Sequence, residues 1–93
     1  MNVDDLIETN LRNAKAVGLG QYTGLLCPKC FEYSSEAFFS MNEPKDQYGL
    51  WFQCSACGNI EHFSCGGKPA GFSHDRISRK FQELDEQAWR AES

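Results

Sequence analysis

The chain has no run of 18 apolar residues, so nothing in it is expected to span a membrane. Its first residues, Met1-Asn2-Val3-Asp4-Asp5, are acidic and lack the apolar stretch of a secretory leader. A cytoplasmic setting is therefore expected, where thiols stay reduced and cysteines favour metal over disulfides. Positive charge is scarce, with 9 Lys and Arg against 13 Asp and Glu and a net charge of −4. That balance opposes affinity for phosphate backbones, which is mostly electrostatic. Histidine is almost missing: only His62 and His74 exist. No paired carboxylates or Ser–His–Asp set stand out, so no enzyme is expected. The run Gly66-Gly67-Lys68-Pro69 lacks phosphate-loop spacing, and Pro69 removes an N–H where Ser or Thr would sit. No internal repeat or low-complexity segment is evident.

The notable presence is cysteine. Four of the five fall in two matched pairs, Cys27-Pro28-Lys29-Cys30 and Cys54-Ser55-Ala56-Cys57. Two intervening residues let a tight turn aim both sulfurs at one ion while its N–H groups hydrogen-bond the thiolates. Two such turns supply four ligands, a closed tetrahedral site for one structural Zn²⁺. A chain of 93 residues buries a modest core, and a metal staple compensates. Gly58 follows Cys57 and permits the positive φ that such turns favour, whereas Phe31 occupies the equivalent place after Cys30. Phe31 must then curve differently or hold a disfavoured conformation. Tetrahedral S₄ also suits iron, as in a rubredoxin-like electron-transfer site. A redox pair of thioredoxin type needs Cys27 to open a helix, but the residues after Cys30 read as strand. His62 is an alternative ligand that four well-spaced cysteines make unnecessary. Cys65, followed by Gly66-Gly67-Lys68, is read as a small loop or buried residue, the sharper alternative being a reactive thiol.

Around the cysteines we expect one α+β domain over residues 1–93. A helix over 2–18 is predicted from apolar residues at Val3, Leu6, Ile7, Leu11, Ala14 and Val17, with Asn2 capping it and Gly18 closing it at C′. The ribbon occupies 21–65: strands over 21–26 and 32–40, a turn-rich tip at 41–47, an aromatic strand from Tyr48 to Gln53, and another from Asn59 to Cys65. Residues 66–72 form a loop. A second helix over 73–91 is capped by Ser73, stapled by Phe72 and Ile77, and carries the apolar stripe Ile77, Phe81, Leu84 and Ala88. Its opening turns hold Arg76, Arg79 and Lys80, with Lys68 and His74 nearby, a candidate contact for an anion or an acidic partner patch. The reading beside it is a solvated face with an Arg79–Glu83 pair. Tyr33, Phe38, Phe39, Tyr48, Trp51 and Phe52 crowd the hairpin. Most are core, but Tyr48 and Trp51 are candidates to face a partner.

The pattern C-P-x-C, hairpin, C-x-x-C-G over residues 25–64 resembles the zinc-ribbon class. The resemblance implies a β-hairpin scaffold and one structural zinc on Cys27, Cys30, Cys54 and Cys57, and it says little of function. The ribbon segment 19–67 carries two basic residues, Lys29 and Lys45, against five acidic ones. That charge, the aromatic excess and the closed metal site favour a protein-binding module: an adaptor, a regulator, or an inhibitor such as an immunity-type antagonist of a basic partner. The alternatives are a nucleic-acid-binding ribbon of transcription, replication or translation, which the basic cluster favours, and the electron-transfer protein.

Overall fold

The computed structural model describes residues 3–92, so the capping role expected of Asn2 lies outside the described residues. Three antiparallel strands, β1 (Ser35–Asn42), β2 (Gln47–Cys54) and β3 (Ile60–Cys65), form a meander in chain order. Helix α1 (Val3–Gly18) precedes the sheet and helix α2 (Arg79–Glu92) follows it. The expected α+β ribbon with two flanking helices is what the chain forms.

Alternation along the strands sends successive side chains to opposite faces, and here both faces are covered. Ala37, Phe39, Leu50 and Phe52 point to one side and pack with Val17 and Leu25 into the main core. Phe38 and Ser40 on β1, Gly49 and Trp51 on β2, and His62 on β3 share the other face by register. There Phe81 of α2 stacks on Trp51, with ring centroids 4.5 Å apart and planes at 6°. A strand sandwiched this way loses its polar positions, and Tyr48 through Phe52 are buried without a break. The last helix thus packs on its own ribbon.

Several local expectations need correction. Residues 21–26 form no strand, only one bridge between Leu25 and Ser35. Their backbone still works as an edge guard: Tyr22 and Leu25 accept the N–H groups of Ala37 and Ser35. Helix α1 ends at Gly18 as expected, but the C′ residue that closes it is Gly20, not Gly18. Gly20, at φ 91, donates to Val17 O while Gln21 donates to Ala16 O, the paired bonds of a Schellman motif with Gly20 at C′. Helix α2 starts five residues later than Ser73 would place it. His74–Arg76 is a separate 3₁₀ turn, Ile77 is extended at ψ 121, and the first α-helical bond runs from Gln82 N–H to Ser78 O. The cause is β1: Ile77 forms a parallel bridge with Phe39, and Ser78 donates to Phe39 O. An edge carbonyl has outcompeted continued helix, so Ile77 cannot staple to Phe72 as a helix would require.

The helix faces differ too. On α1 the inward side is Asn10, Asn13 and Val17, while Ile7 and Leu11 are 51% and 59% exposed. Asn13 donates its amide to Leu26 O at 2.8 Å, and Asn10 to Glu61 at 3.3 Å. On α2 the inward pair is Phe81 and Asp85, while Leu84 and Ala88 are exposed. The join between α1 and the 66–72 loop needs glycine: Gly71 has φ 79, and a Cβ there would run into the Val17 carbonyl.

Candidate metal centre

The two cysteine turns are built alike. Phe31 N–H donates to Cys27 O at 3.0 Å, and Gly58 N–H donates to Cys54 O at 2.9 Å. Cys27 N–H reaches Glu32 O, and Cys54 N–H reaches Asn59 O, both at 2.9 Å. The residue after each second cysteine is left-handed, Gly58 at φ 78 and Phe31 at φ 59. Phe31 therefore adopts the conformation that glycine takes in the matching turn. The sheet brings the turns face to face, the first entering β1 and the second joining β2 to β3. Ser34 O clamps them by accepting both the N–H and the hydroxyl of Ser55.

The four sulfurs all lie within 4.8 Å of one another. Cys27 to Cys57 and Cys30 to Cys54 are each 3.6 Å. Sulfurs about 2.3 Å from a tetrahedral ion would sit about 3.8 Å apart, so the cage has the right size for one. Lys29 and Cys30 N–H groups approach Cys27 Sγ, and Cys57 N–H approaches Cys54 Sγ, at 3.4 to 3.5 Å. Ser34 Oγ lies 3.1 Å from Cys54 Sγ. These donors spread thiolate charge, as outer partners of a metal site do.

The thiols are not equivalent. The Ser34 hydroxyl, with the Cys57 N–H, pulls Cys54 down to about 6 against the upward push of burial. At Cys30 a backbone hydrogen bond at Glu32 pulls down, but burial and the neighbouring thiols outweigh it and push the group up to about 12. Cys57 also rises: the backbone at Asn59 pulls down, but burial and the Cys27 and Cys54 thiols outweigh it. Cys54 is thus the thiol more readily ionised, and Cys30 gives up its proton less readily. Affinity then rises with pH. In chelator competition we expect the metal to be withdrawn more readily at pH 5.5 than at pH 7.5; the same retention at both would contradict this charge distribution.

Cys65 stands apart, its thiol pushed up by burial, which argues against a reactive thiolate. Neither histidine is in the sulfur cluster. His62 lies on the far face of the sheet, stacked on Trp51 at 3.8 Å and 3.5 Å from Asp85 Oδ1. It belongs to a network that sequence reasoning missed. Buried Asp85 accepts the Ser40 hydroxyl and the Trp51 indole N–H, the latter at 3.1 Å. Serine, imidazole and carboxylate meet here, but Ser40 and His62 both address the carboxylate and Ser40 is fully buried. A hydrolytic triad needs the imidazole on the hydroxyl. Gly49 makes room for this cluster, since a Cβ there would collide with Asp85 and Ser40.

The remaining candidates scatter. Tyr48 and Trp51, expected as partner-facing, are 6% and 8% exposed, because Phe72 packs on the first and α2 covers the second. Arg76, in the 3₁₀ turn and not in the helix, donates Nε to Ala37 O and lies over the Phe38 ring. Arg79 pairs with Glu83 at 3.5 Å, Lys80 lies along Phe81, and Lys68 lies over Phe72. The exposed aromatics are instead Phe31 (56%) and Tyr33 (74%), both beside the first cysteine turn. The signal for Phe31 was present in the sequence, as the mismatch with Gly58.

Fold and cage together fit a zinc ribbon: four cysteines on two facing turns, held by a three-stranded sheet. No family model, curated protein or solved structure matches the chain. Among the described residues no helix is long and apolar enough to cross a membrane.

Proposed function

We propose that the chain is a non-catalytic, zinc-stapled module that binds another protein through the aromatic end of its ribbon. The observation that carries this reading is Phe31. A left-handed conformation costs an L-residue roughly 1–2 kcal/mol, and glycine would remove the strain. Phe31 accepts that strain while its ring stays largely in solvent, so the core gains little from it. Tyr33 is exposed nearby, and Ile60 and Lys29 border the groove between the two turns. Exposed aromatics with low side-chain entropy are natural anchors for a protein interface.

Zinc is the ion we assign, acting as a cross-link. Four protein sulfurs fill a tetrahedral shell and leave no position for water or substrate, which supports a non-catalytic role. Nucleic acid is disfavoured by the acidic ribbon and by the dispersal of Arg76, Arg79 and Lys80 into separate intramolecular contacts.

Affinity capture with cross-linking tests the reading. A protein retained by the wild-type chain should be lost with Phe31→Gly and with Tyr33→Ser. Both variants should keep their metal, and Phe31→Gly should melt no lower than wild type. Equal retention by all three, or retention of nucleic acid at about 50 mM salt, where phosphate contacts are strong, would overturn it.

A further inference from the structure

The cage divides its four sulfurs into two inner and two outer ones. Cys27 and Cys54, the first cysteine of each turn, are buried at 0% and 1% exposure. Cys30 is half-buried and Cys57 is exposed, and both line the groove between the turns, with Lys29, Asn59 and Ile60. The short contacts run from an outer sulfur to an inner one, and from one turn to the other. Cys57 lies 3.6 Å from Cys27, and Cys30 lies 3.6 Å from Cys54. Spacing in the sequence favours a different pairing, because the shortest loop closes within each C-x-x-C. The folded cage thus presents cross-turn partners that the spacing does not.

We propose, on the basis of the zinc cage assigned above, that the centre is a modification site for peroxide, which oxidises it through the outer sulfurs to two cross-turn disulfides, Cys27–Cys57 and Cys30–Cys54. Exposure decides where the oxidant enters. The groove gives access to Cys57 and Cys30, while Cys27 and Cys54 are shielded. The outer sulfur attacks one peroxide oxygen and the O–O bond breaks, leaving a sulfenic acid and a hydroxide. The inner sulfur then attacks the outer one: the S–S bond forms, the S–O bond breaks and a second hydroxide leaves. A partner only 3.6 Å away intercepts the sulfenic acid before it oxidises further. A disulfide is about 2.05 Å long, so each pair closes by about 1.5 Å from its 3.6 Å separation. Over both pairs, four thiolates, two peroxides and four protons give two disulfides and four waters, with two electrons passing to each peroxide. No thiolate remains for an ion, so zinc is freed, while each disulfide still ties one turn to the other.

Peptide mapping tests this directly, because Lys29 lies between Cys27 and Cys30. Trypsin cleaving after Lys15, Lys29, Lys45 and Arg76 places Cys27 in peptide 16–29, Cys30 in 30–45, and Cys54, Cys57 and Cys65 in 46–76, since Pro69 protects Lys68. The zinc-loaded full chain is treated with hydrogen peroxide, remaining thiols are alkylated, and digestion proceeds without reductant. Zinc release, read with a chromogenic chelator, should rise to one ion per chain. All three peptides should form one disulfide-linked assembly that a dithiol reductant parts. The Cys65→Ser chain should give the same assembly, which removes the fifth thiol as its source. Peptides 16–29 and 30–45 joined to each other, with 46–76 separate, would overturn the proposal. So would sulfinic acid at Cys57 without a disulfide, or zinc retained with all four thiols intact. A chain that holds no zinc before peroxide is added overturns the zinc assignment on which the proposal rests, a result read before oxidation and so distinct from the others.

Discussion

Cys54→Ser is expected to abolish metal binding and to unfold the segment from Leu25 to Cys65. Cys54 is buried, ends β2, takes its hydrogen bonds from Ser34 and Cys57, and is the thiol most readily ionised. Serine offers a harder, protonated oxygen to an ion that selects thiolates. Structural zinc contributes on the order of 10–16 kcal/mol of binding free energy to small metal-dependent folds, more than the roughly 5–15 kcal/mol of stability a typical domain possesses. Losing one ligand of four removes enough of that contribution to leave the ribbon unfolded. Cys65→Ser serves as the control, with unchanged metal content expected, since Cys65 lies outside the sulfur cluster and pairs with Tyr48 in the sheet. Metal content and far-UV circular dichroism read both variants. A folded, metal-loaded Cys54→Ser protein would contradict the assignment of ligands.

The second large effect is expected at Asp85. Asp85→Ala removes an acceptor of both the Ser40 hydroxyl and the Trp51 indole beneath α2, and leaves the indole N–H only Ser40 Oγ, at 3.0 Å. Stranding a buried donor costs about 1–3 kcal/mol. We therefore expect about 1–3 kcal/mol of destabilisation in denaturant titrations. In a Trp89→Phe background, Trp51 fluorescence should shift to the red as α2 loosens and water enters. The metal should stay bound, because the cage lies at the far ends of the strands, away from this network. Unchanged stability would mean that stacking of Phe81 on Trp51 docks the helix without Asp85.

These two sites differ in how far the sequence revealed them. The cysteine turns were legible because each is a local unit: two residues between ligands already dictate how the sulfurs converge, and only the pairing of the turns depends on the sheet. The same locality made Phe31 conspicuous against Gly58. The Asp85 network was not legible. Asp85 lies 23 to 45 residues from His62, Trp51 and Ser40, so no local spacing in the sequence joins them. The face of α1 failed for a related reason. Periodicity marks a stripe without saying what covers it, and Asn13 turned inward because Leu26 O, across the core, supplied a partner. The start of α2 failed because a good cap at Ser73 competed with an open strand edge, and the β1 edge at Phe39 took Ile77 and Ser78. Trp51 was misjudged because alternation predicts one wet face for a sheet and α2 roofs it, while Tyr48 lies on the opposite face under Phe72.

We propose that one zinc ion holds the two turns together. Native mass spectrometry of the chain, purified without added metal or chelator, tests it most directly. One zinc per chain is expected, with the apo mass appearing only alongside unfolded, highly charged ions. A compact, natively folded species that carries iron, or no metal at all, would contradict it.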